Sequence, residues 1–242
     1  MPRKLHDLHV QPESLEEEAL ESHVQVAGEI GTDVIALTPV YKDSKHLERL
    51  KKNLPDDEYG LKVFPGAKIE VEDVKEMKDQ LSAVRDRVPV VCVAGGDPEI
   101  NRAAAGDPRV DFIAHPGLDR KDCGIDHVIA KKAAENQVAL EVNFRLLLEN
   151  SGKYRMYQLK KIEEYVMFNQ KFGTPLITNS GARKTEQLRN PRDMSAVLQG
   201  LGLAKGEVLE TVDQVPGEIL ERFRERNKEG FVRPGVTREV EG

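Results

Sequence analysis

Short apolar runs alternate with helix-like segments along most of this chain, and this alternation constrains the fold more than any other feature. Runs such as Val34–Leu37 and Val90–Ala94 are rich in β-branched residues and too short for a helix, which is typical of buried strands. Strands that alternate with helices form a parallel sheet. The predicted strands are Leu5–Val10, Val34–Leu37, Leu61–Val71, Val90–Ala94, Asp111–Ala114, Val138–Val142 and Thr174–Thr178.

About seven such strands, with no linker between them, indicate one α/β domain over residues 1–229, followed by a flexible tail at 230–242. The length is close to the roughly 250 residues of a TIM-like (β/α) barrel. A closed barrel explains why polar residues recur at the strand exits, since the ring gathers those exits at one end. A doubly wound open sheet is the alternative.

Local signals place the helices and one irregular strand. Ser14 and Glu17 form a predicted capping box for a helix that runs to about Ile30. Pro65–Gly66 predicts a bend or an edge position rather than a central strand. Further helices are predicted at His46–Lys52, from Asp73, after Asp97–Pro98, around Ile125, Val128, Ile129 and Ala133, around Leu159, Ile162 and Val166 beyond a long loop, after Asn190–Pro191, at Val208–Thr211 and at Ile219–Phe223.

The composition favours a cytoplasmic protein. Hydrophobic residues at 39% allow a sizeable core, while 32% charged residues and the lack of a long apolar run argue against a transmembrane segment or signal peptide. Cys92 and Cys123 show no metal-binding spacing, so both are predicted to be free thiols.

The charge is distributed unevenly. The net charge of −6 argues against indiscriminate binding to nucleic acid. Residues 101–195, however, carry 16 Lys and Arg against 12 Asp and Glu, whereas the rest carries 20 against 30. The basic charge is concentrated in the middle of the chain, where either a binding surface or an ordinary solvated surface of mixed sign would place it.

Two turns stand out as candidate sites. His115 directly follows a predicted strand, and parallel α/β proteins build their sites at strand exits. An equally good interpretation is a histidine that only completes a hydrogen bond at a barrel rim. Gly95–Gly96 leads into a helix capped by Asp97. Such a pair can cradle a phosphate or simply permit a tight turn, and both interpretations stay open.

Several segments share motifs with a known family. They are Gly95–Asp97 with Arg102, Asp111–Pro116, Cys123–His127, Ala139–Asn143 and Ile177–Arg183. In this order they resemble the p30 family of ribonuclease P protein subunits, which includes protein component 3 of the archaeal enzyme. The resemblance extends from Asp7 to about Met194, and the ordered set is more specific than any single motif.

The resemblance implies a degenerate branch of the polymerase and histidinol phosphatase (PHP) barrels, whose enzymes bind metal. At the first PHP metal motif, His-x-His, this chain has His9 followed by Gln11, a far poorer ligand. Where PHP proteins carry a carboxylate after a glycine, it has Lys68, although Glu70 lies two residues on.

Two further PHP positions point the same way. His115 of the His-Pro motif is retained, but the closing Asn-Ser-Asp-x-His motif appears as Asn179–Arg183, so Gly181 and Arg183 replace a carboxylate and an imidazole. A divalent metal needs several deprotonated ligands around one point. No catalytic residue, metal or other cofactor is therefore predicted for the protein itself, and His9 and His115 are expected to hold loops together.

The resemblance implies that the chain binds the catalytic RNA of ribonuclease P together with protein component 2. It would support removal of the 5′ leader from precursor tRNA without being catalytic alone, and Mg²⁺ would act on the RNA. No membrane partner is expected.

Cations at strand exits suit such a ligand, since Arg pairs bidentately with phosphate and Lys supplies a mobile charge. Arg183 is the strongest candidate because it follows a strand directly. Lys131 and Lys132 are expected on a solvated helix face. For Arg145 and Arg155, pairing with Glu141 or Glu149 within the protein is as plausible as contact with RNA. The predicted RNA-binding residues are Lys68, Arg102, Arg120, Lys121, Arg145, Arg155, Arg183 and Lys184.

The sequence leaves two other functions open. One is a PHP-type, metal-dependent phosphoesterase with a rearranged site. The other is a barrel enzyme that holds an anionic substrate with Arg and Lys, although no general acid and base pair is evident for its chemistry. The rearranged phosphoesterase site would use His6, His9, Glu70, His115 and Glu141.

Overall fold

Seven parallel strands, neighbours in sequence order, form the central sheet of the computed structural model. The structure describes residues 3–56 and 59–227, together with the backbone of residues 231–233 and 236–237. All seven predicted strands are confirmed, with ends that shift by no more than a few residues. The strands are β1 His6–Val10, β2 Val34–Leu37, β3 Lys62–Ile69, β4 Val90–Ala94, β5 Phe112–Ala114, β6 Ala139–Asn143 and β7 Leu176–Asn179.

Helices connect the strands on the outside, which confirms the TIM-like barrel class. Asp43, Asp73, Asp97, Asp126 and Asn190 each accept a hydrogen bond from a backbone N–H in the first turn of the following helix. The helices are α1 Glu17–Glu29, α2 Ser44–Lys52, α3 Val74–Val84, α4 Pro98–Ala105, α5 His127–Asn136, α6 Phe144–Glu149, α7 Gly152–Phe172, α8 Pro191–Gly200, α9 Lys205–Glu210 and α10 Gln214–Arg226.

Side chains and one loop close the ring between β7 and β1, the two ends of the sheet. The Leu8 backbone N–H donates to Asn179 Oδ1 at 3.0 Å, and the Ser180 backbone N–H donates to Asp7 Oδ1 at 3.1 Å. At the other end of this seam, the carbonyl oxygens of residues 211 and 212 accept from β7 and β1 at 3.0 and 2.8 Å. Backbone groups that would otherwise lie open at the seam are thereby satisfied.

The barrel interior divides into an apolar floor and a polar top. Leu8, Cys92 and Phe112 fill the middle, and Ile219 and Leu220 of α10 pack against these apolar side chains from below. Both cysteines are buried free thiols, as predicted. Because the apolar residues occupy the lower layers, buried polar side chains at the carboxyl ends of the strands are held above them.

Pro65–Gly66 was predicted to mark a bend or an edge, and this is wrong, because β3 lies between β2 and β4. Pro65 is the last residue in register with β2, opposite Leu37, and Gly66 is the first in register with β4, opposite Val90. The missing proline N–H therefore falls where β3 changes partners.

Three local predictions about helices also fail. The Ser14 hydroxyl accepts from the Glu16 backbone N–H at 3.2 Å, so it stabilises a turn before α1 and does not cap the helix. The predicted long loop after β6 contains α6 and the first turns of α7. Few buried residues mark these turns, so apolar periodicity did not reveal them. Val128, predicted on a core face, is 39% exposed in the first turn of α5.

The predicted flexible tail at 230–242 falls largely outside the described residues. Within it, β8 Phe231–Arg233 and β9 Val236–Thr237 pair antiparallel, which sequence analysis did not anticipate. Among the described helices, none combines the length and apolar character that crossing a bilayer requires.

Candidate functional site

Two residues predicted from PHP motifs, His9 near the end of β1 and His115 after β5, meet Glu141 of β6 at the polar top of the barrel. All are buried. The His9 Nδ1–H donates to Glu141 Oε1 at 2.6 Å, and the two imidazole rings lie 6.2 Å apart between centroids. The barrel therefore assembles a buried cluster, which we call the interior cluster.

Glu141 is fully occupied by hydrogen-bond donors. Besides His9, its Oε1 accepts from Asn179 Nδ2 at 3.1 Å, and its Oε2 accepts from the His115 backbone N–H and Asn143 Nδ2, both at 3.0 Å. Burial by itself would raise the pKa of Glu141, but the charge and hydrogen bond of His9 outweigh it, with help from His115 and Asn143, and lower the pKa to about 2. The carboxylate is thus ionised and has no free lone pair aimed at a ligand.

His115 occupies an unusual backbone conformation. Its φ is 38°, in the left-handed region that non-glycine residues rarely adopt. Burial lowers the pKa of its imidazole to about 3, so the ring is neutral at pH 7. Its Nδ1 has no partner among the described residues. His115 holds its loop to the interior cluster through its backbone N–H, while His9 does so through its ring.

Lys68 is buried beside the interior cluster and does not face the surface. Its side chain is 2% exposed, and its Nζ contacts Glu70 Oε2 at 2.8 Å. The hydrogen bond from Lys68 lowers the pKa of Glu70. A lysine in this position cannot reach a phosphate outside the barrel, so we withdraw Lys68 from the predicted RNA-contacting set.

Gly181, where PHP enzymes carry an aspartate, has no room for a side chain. Its φ is 63°, and a Cβ atom built there would lie 2.2 Å from Asn143 Nδ2. Asn143 in turn donates to Glu141. The space of the missing carboxylate is therefore filled by an amide that belongs to the hydrogen-bond network.

The nitrogen and oxygen atoms of the interior cluster do not form a site for a divalent metal. The buried imidazole nitrogens without partners among the described residues are His9 Nε2 and His115 Nδ1, whereas the Glu141 oxygens are occupied and Lys68 adds a positive charge nearby. Within the described ranges, no group of three or more His, Cys, Asp or Glu residues is arranged to hold a metal ion. Metal sites require several deprotonated ligands around one point, which this arrangement lacks.

His6 lies at the opposite end of the barrel from His9 and His115, so it cannot belong to the rearranged phosphoesterase site. It begins β1, its backbone N–H donates to the Val212 carbonyl oxygen, and its side chain lines a cleft with Lys62 and Phe64. With Glu70 paired to Lys68, the five residues of that hypothetical site are not brought together.

Exposed cations lie around a cleft at the exits of β1, β2 and β7. Arg183 and Lys184 are exposed, and the Arg183 guanidinium makes no hydrogen bond or ion pair with the described residues. A cleft of about 360 Å³ lies beside Arg183 and is also lined by Gln11, Lys42 and His46. Sequence analysis missed Lys42 and His46, although their position soon after a predicted strand was the available signal.

The remaining predicted arginines are largely engaged within the protein. Arg145 is buried, and it donates through Nε to the Gly181 carbonyl oxygen at 2.8 Å and through Nη1 to Glu149 Oε2 at 2.7 Å. Pairing with Glu149 was one of the two interpretations left open, and we withdraw Arg145 as an RNA contact. Arg155 is exposed, and its Nε donates to the Asn150 carbonyl oxygen at 2.8 Å.

Arg120, Lys121 and Arg102 lie in different surroundings. Arg120 forms a bidentate pair with Asp122, at 2.6 and 2.7 Å, in the loop after β5, whereas the neighbouring Lys121 is exposed. Arg102 lies in the last turn of α4 and contacts Asp126 at 3.5 Å. It was predicted at the strand-exit end, but the helix carries it down the outer side of the barrel.

Gly95–Gly96 serves close packing. A Cβ atom at Gly95 would lie 2.6 Å from Pro116 Cα and 2.6 Å from Asn101 Oδ1, and Gly96 has a φ of 112°. The pair lets the loop after β4 approach the loop after β5. The tight-turn interpretation accounts for both glycines.

Helix α7 anchors the loop that carries Arg120 and Lys121. Lys161 Nζ donates to the Gly117 carbonyl oxygen at 2.7 Å, and the Tyr165 hydroxyl donates to the Cys123 carbonyl oxygen at 2.9 Å. Both anchors lie in the half of α7 that was predicted from its apolar face. The loop thus has a defined position above the barrel.

Comparison with protein families and curated relatives gives a consistent result. The family model described as RNase P subunit p30 matches residues 4–228. Ribonuclease P protein component 3 of Methanosarcina mazei is 33% identical over 218 residues, which cover 90% of this chain and 88% of that protein. The corresponding protein of Methanocaldococcus jannaschii is 37% identical over 145 residues, 60% of this chain and 62% of that protein.

Solved structures extend the comparison to the fold. A chain in the cryo-EM structure of archaeal ribonuclease P with mature tRNA matches with a TM-score of 0.79 and 27% identity, covering 98% of both chains. Histidinol phosphate phosphatase of Lactococcus lactis, solved with zinc, L-histidinol and phosphate, matches with a TM-score of 0.58 and 12% identity over 83% of this chain and 95% of that one. The second match shows a shared barrel fold. With the family model matching nearly the whole chain, this protein belongs to the p30 family of ribonuclease P subunits.

Proposed function

We propose that this chain serves ribonuclease P as the p30-family protein subunit, binding the catalytic RNA and supporting 5′-leader removal from precursor tRNA. The observation that carries the proposal is the match, over 98% of both chains, to a chain of archaeal ribonuclease P. The chain is not catalytic alone, because the Glu141 carboxylate of the interior cluster is fully occupied by internal hydrogen bonds and the donor set does not fit a metal. The phosphodiester chemistry belongs to the RNA and to Mg²⁺ held by the RNA.

The proposed RNA-binding surface is the rim of the strand exits, which we call the rim surface. It consists of Arg183 and Lys184 after β7, Lys42 after β2 and Lys121 after β5. These side chains are exposed, and none forms an ion pair within the part of the chain that the structure describes. Free cations next to an open cleft can neutralise phosphates, and each contact adds a salt-dependent increment to affinity.

Protein component 2 is the proposed protein partner, and the cytoplasm, where precursor tRNA is processed, is the proposed location. Both rest on the family relationship. An isolated p30-family subunit would bind the RNA weakly, and a bound partner protein would increase its effective affinity by presenting further contacts.

The test is cleavage of a precursor tRNA by the cognate ribonuclease P RNA and component 2 at limiting Mg²⁺, with and without this chain. We expect the chain to lower the Mg²⁺ requirement and to be inert alone on a simple phosphate ester. Chelator-sensitive hydrolysis of the ester would support the PHP-type hydrolase instead. No change in the Mg²⁺ requirement would contradict the subunit role.

A further inference from the structure

A basic groove runs along the outer side of the barrel, away from the rim surface. Its floor is formed by Ala103 and Gly106 at the end of α4, and its walls carry Lys78 of α3, Arg102 of α4 and Lys132 of α5. Two adjoining cavities of about 510 and 480 Å³ share Arg102, Ala103 and Lys132. We call this feature the α4 groove.

The sequence explains why a groove forms here. Helix α4 spans only Pro98–Ala105, whereas α3 and α5 are longer, and its exposed side ends in the small residues Ala103 and Gly106. A short helix with a small-residue surface lies lower than its neighbours. Lysines projecting from those neighbours therefore line a channel whose floor an extended chain can approach closely.

The cations of the α4 groove are only partly neutralised. Lys78 and Lys132 have no carboxylate within ion-pair distance among the described residues, and the Arg102–Asp126 contact is long, at 3.5 Å, between half-exposed side chains. A contact of this kind contributes little.

The acids that line the α4 groove leave it electropositive. Asp107 is held by Arg109 through two short hydrogen bonds, at 2.9 and 2.6 Å, which cancels both charges. Glu99, at the upper end, is the other lining acid. Three cations thus face one unpaired carboxylate.

We propose that the α4 groove binds the phosphodiester backbone of RNA as a second contact, separate from the rim surface. The groove takes cations from three helices and is open along its length, which suits a run of phosphates better than a single small anion. Mobile lysines neutralise phosphates without requiring one fixed geometry. The proposal rests on the proposed function, since ribonuclease P RNA would be the ligand.

The geometry also sets how the two contacts relate. Helix α4 starts at the strand-exit end, after β4, and descends to the opposite end of the barrel. The α4 groove therefore leads from the rim down the side of the molecule. An RNA that engages both surfaces would wrap around an edge of the barrel.

The test uses the full chain and the ribonuclease P RNA of the same organism. A triple variant, Lys78→Ala, Arg102→Ala and Lys132→Ala, is compared with a control triple, Lys171→Ala, Arg192→Ala and Lys205→Ala, which removes the same charge from α7, α8 and α9. We expect the groove triple to weaken RNA binding about tenfold or more. It should also reduce the slope of log affinity against log salt by about 2, since each phosphate contact contributes about 0.7–0.9. The control should stay within about twofold of the wild type.

Further arms separate the possible failures. Combining the groove triple with Arg183→Ala and Lys184→Ala should give additive losses in log affinity if the two surfaces are independent. Equal binding by the groove and control triples would overturn the α4 groove as an RNA site. Unchanged RNA binding with lost capture of component 2 would overturn it in favour of a protein partner. A wild type that does not bind the RNA would overturn the proposed function itself.

Discussion

Two regions at the same end of the barrel use charged side chains in opposite ways. In the interior cluster, Glu141 accepts hydrogen bonds from four donors, two of them histidine groups and two of them amides. On the rim surface, Arg183 and Lys184 are exposed, and neither side chain pairs with a carboxylate of the described residues. The difference teaches that a charge buried inside the barrel is paired with other groups of the protein, whereas an exposed charge at the rim is available to a ligand.

The physical reason is the cost of burial. A buried charge is tolerated only when hydrogen-bond partners replace the water it loses. The hydrogen bonds around Glu141 are therefore needed to keep its charge inside the barrel, and the carboxylate is not available for chemistry. An exposed cation retains its water until a phosphate replaces it. If this comparison holds, interior substitutions should change stability, and rim substitutions should change binding.

The largest effect should come from Glu141→Ala, because it removes the acceptor of four hydrogen bonds. We expect the free energy of unfolding to fall by about 3–5 kcal/mol, as when one partner of a buried ion pair is removed. Denaturant unfolding measures this. Glu163→Ala, an exposed site on α7, is the matched control and should change stability by about 0.5 kcal/mol or less. A loss below about 1 kcal/mol for Glu141→Ala would break the comparison.

Acid should destabilise the protein through the same cluster. Below pH 6.5 the unfolded chain binds a proton at His115, but the folded chain does so only near its pKa of about 3, so stability falls as the pH falls. Glu141, with a folded pKa of about 2, acts in the same direction at lower pH. Between pH 6.5 and 4 the His115 contribution should be on the order of 3 kcal/mol.

The variant His115→Asn should remove most of that fall, because asparagine tolerates the left-handed backbone at this position. Unfolding free energy measured against pH gives the slope. His127→Asn, at the exposed start of α5, is the control. An identical pH slope in wild type and His115→Asn would show that this imidazole does not titrate on unfolding.

Restoring the PHP carboxylate with Gly181→Asp should destabilise the protein and should not create a metal site. The positive φ and the clash with Asn143 are expected to cost about 2 kcal/mol or more. Adding Asn143→Ala should recover part of the loss by removing the clash. Thermal unfolding with and without Mn²⁺ tests both points. A Gly181→Asp variant that keeps full stability and whose unfolding temperature rises with Mn²⁺ would contradict the conclusion that the interior cluster does not fit a metal.

The smallest effect on stability should come from the rim double variant, Arg183→Ala with Lys184→Ala. Stability should change by about 0.5 kcal/mol or less, while binding to ribonuclease P RNA weakens about tenfold, equivalent to about 1.4 kcal/mol. Salt-dependent binding measurements provide the slope, and Arg189→Ala with Arg192→Ala is a control pair nearby. A clear loss of stability with unchanged RNA affinity would reverse the comparison.

Much of the fold followed from local patterns. Apolar runs and Asx caps predicted the strands and most helices, because both depend on neighbours in sequence. The failures had other causes. Ser14 made a turn in place of a cap, Pro65–Gly66 lay where a strand changes partners, and the polar start of α7 carried no apolar period. The Pro65–Gly66 case depended on contacts with distant strands, whereas the Ser14 turn and the exposed start of α7 are local features that cap motifs and apolar periodicity did not resolve.

The candidate site divided in the same way. Motifs brought attention to His9, His115 and Gly181, and the structure places them together at one end of the barrel. They did not reveal that Lys68 and Arg145 point inward or that Arg102 lies on the outer side. Residue type and strand-exit position were visible, but the direction of the side chain was not.

The sequence by itself determined the alternation of strands and helices and the family motifs, since these depend on residue types and their order. Only the tertiary structure decided which cations are free. A lysine's charge is the same in any sequence, but its availability depends on whether folding places a carboxylate, a carbonyl group or water beside it. Lys68 is buried and paired with Glu70, whereas Lys184 is exposed, so Lys184 keeps its charge available for the proposed RNA contact.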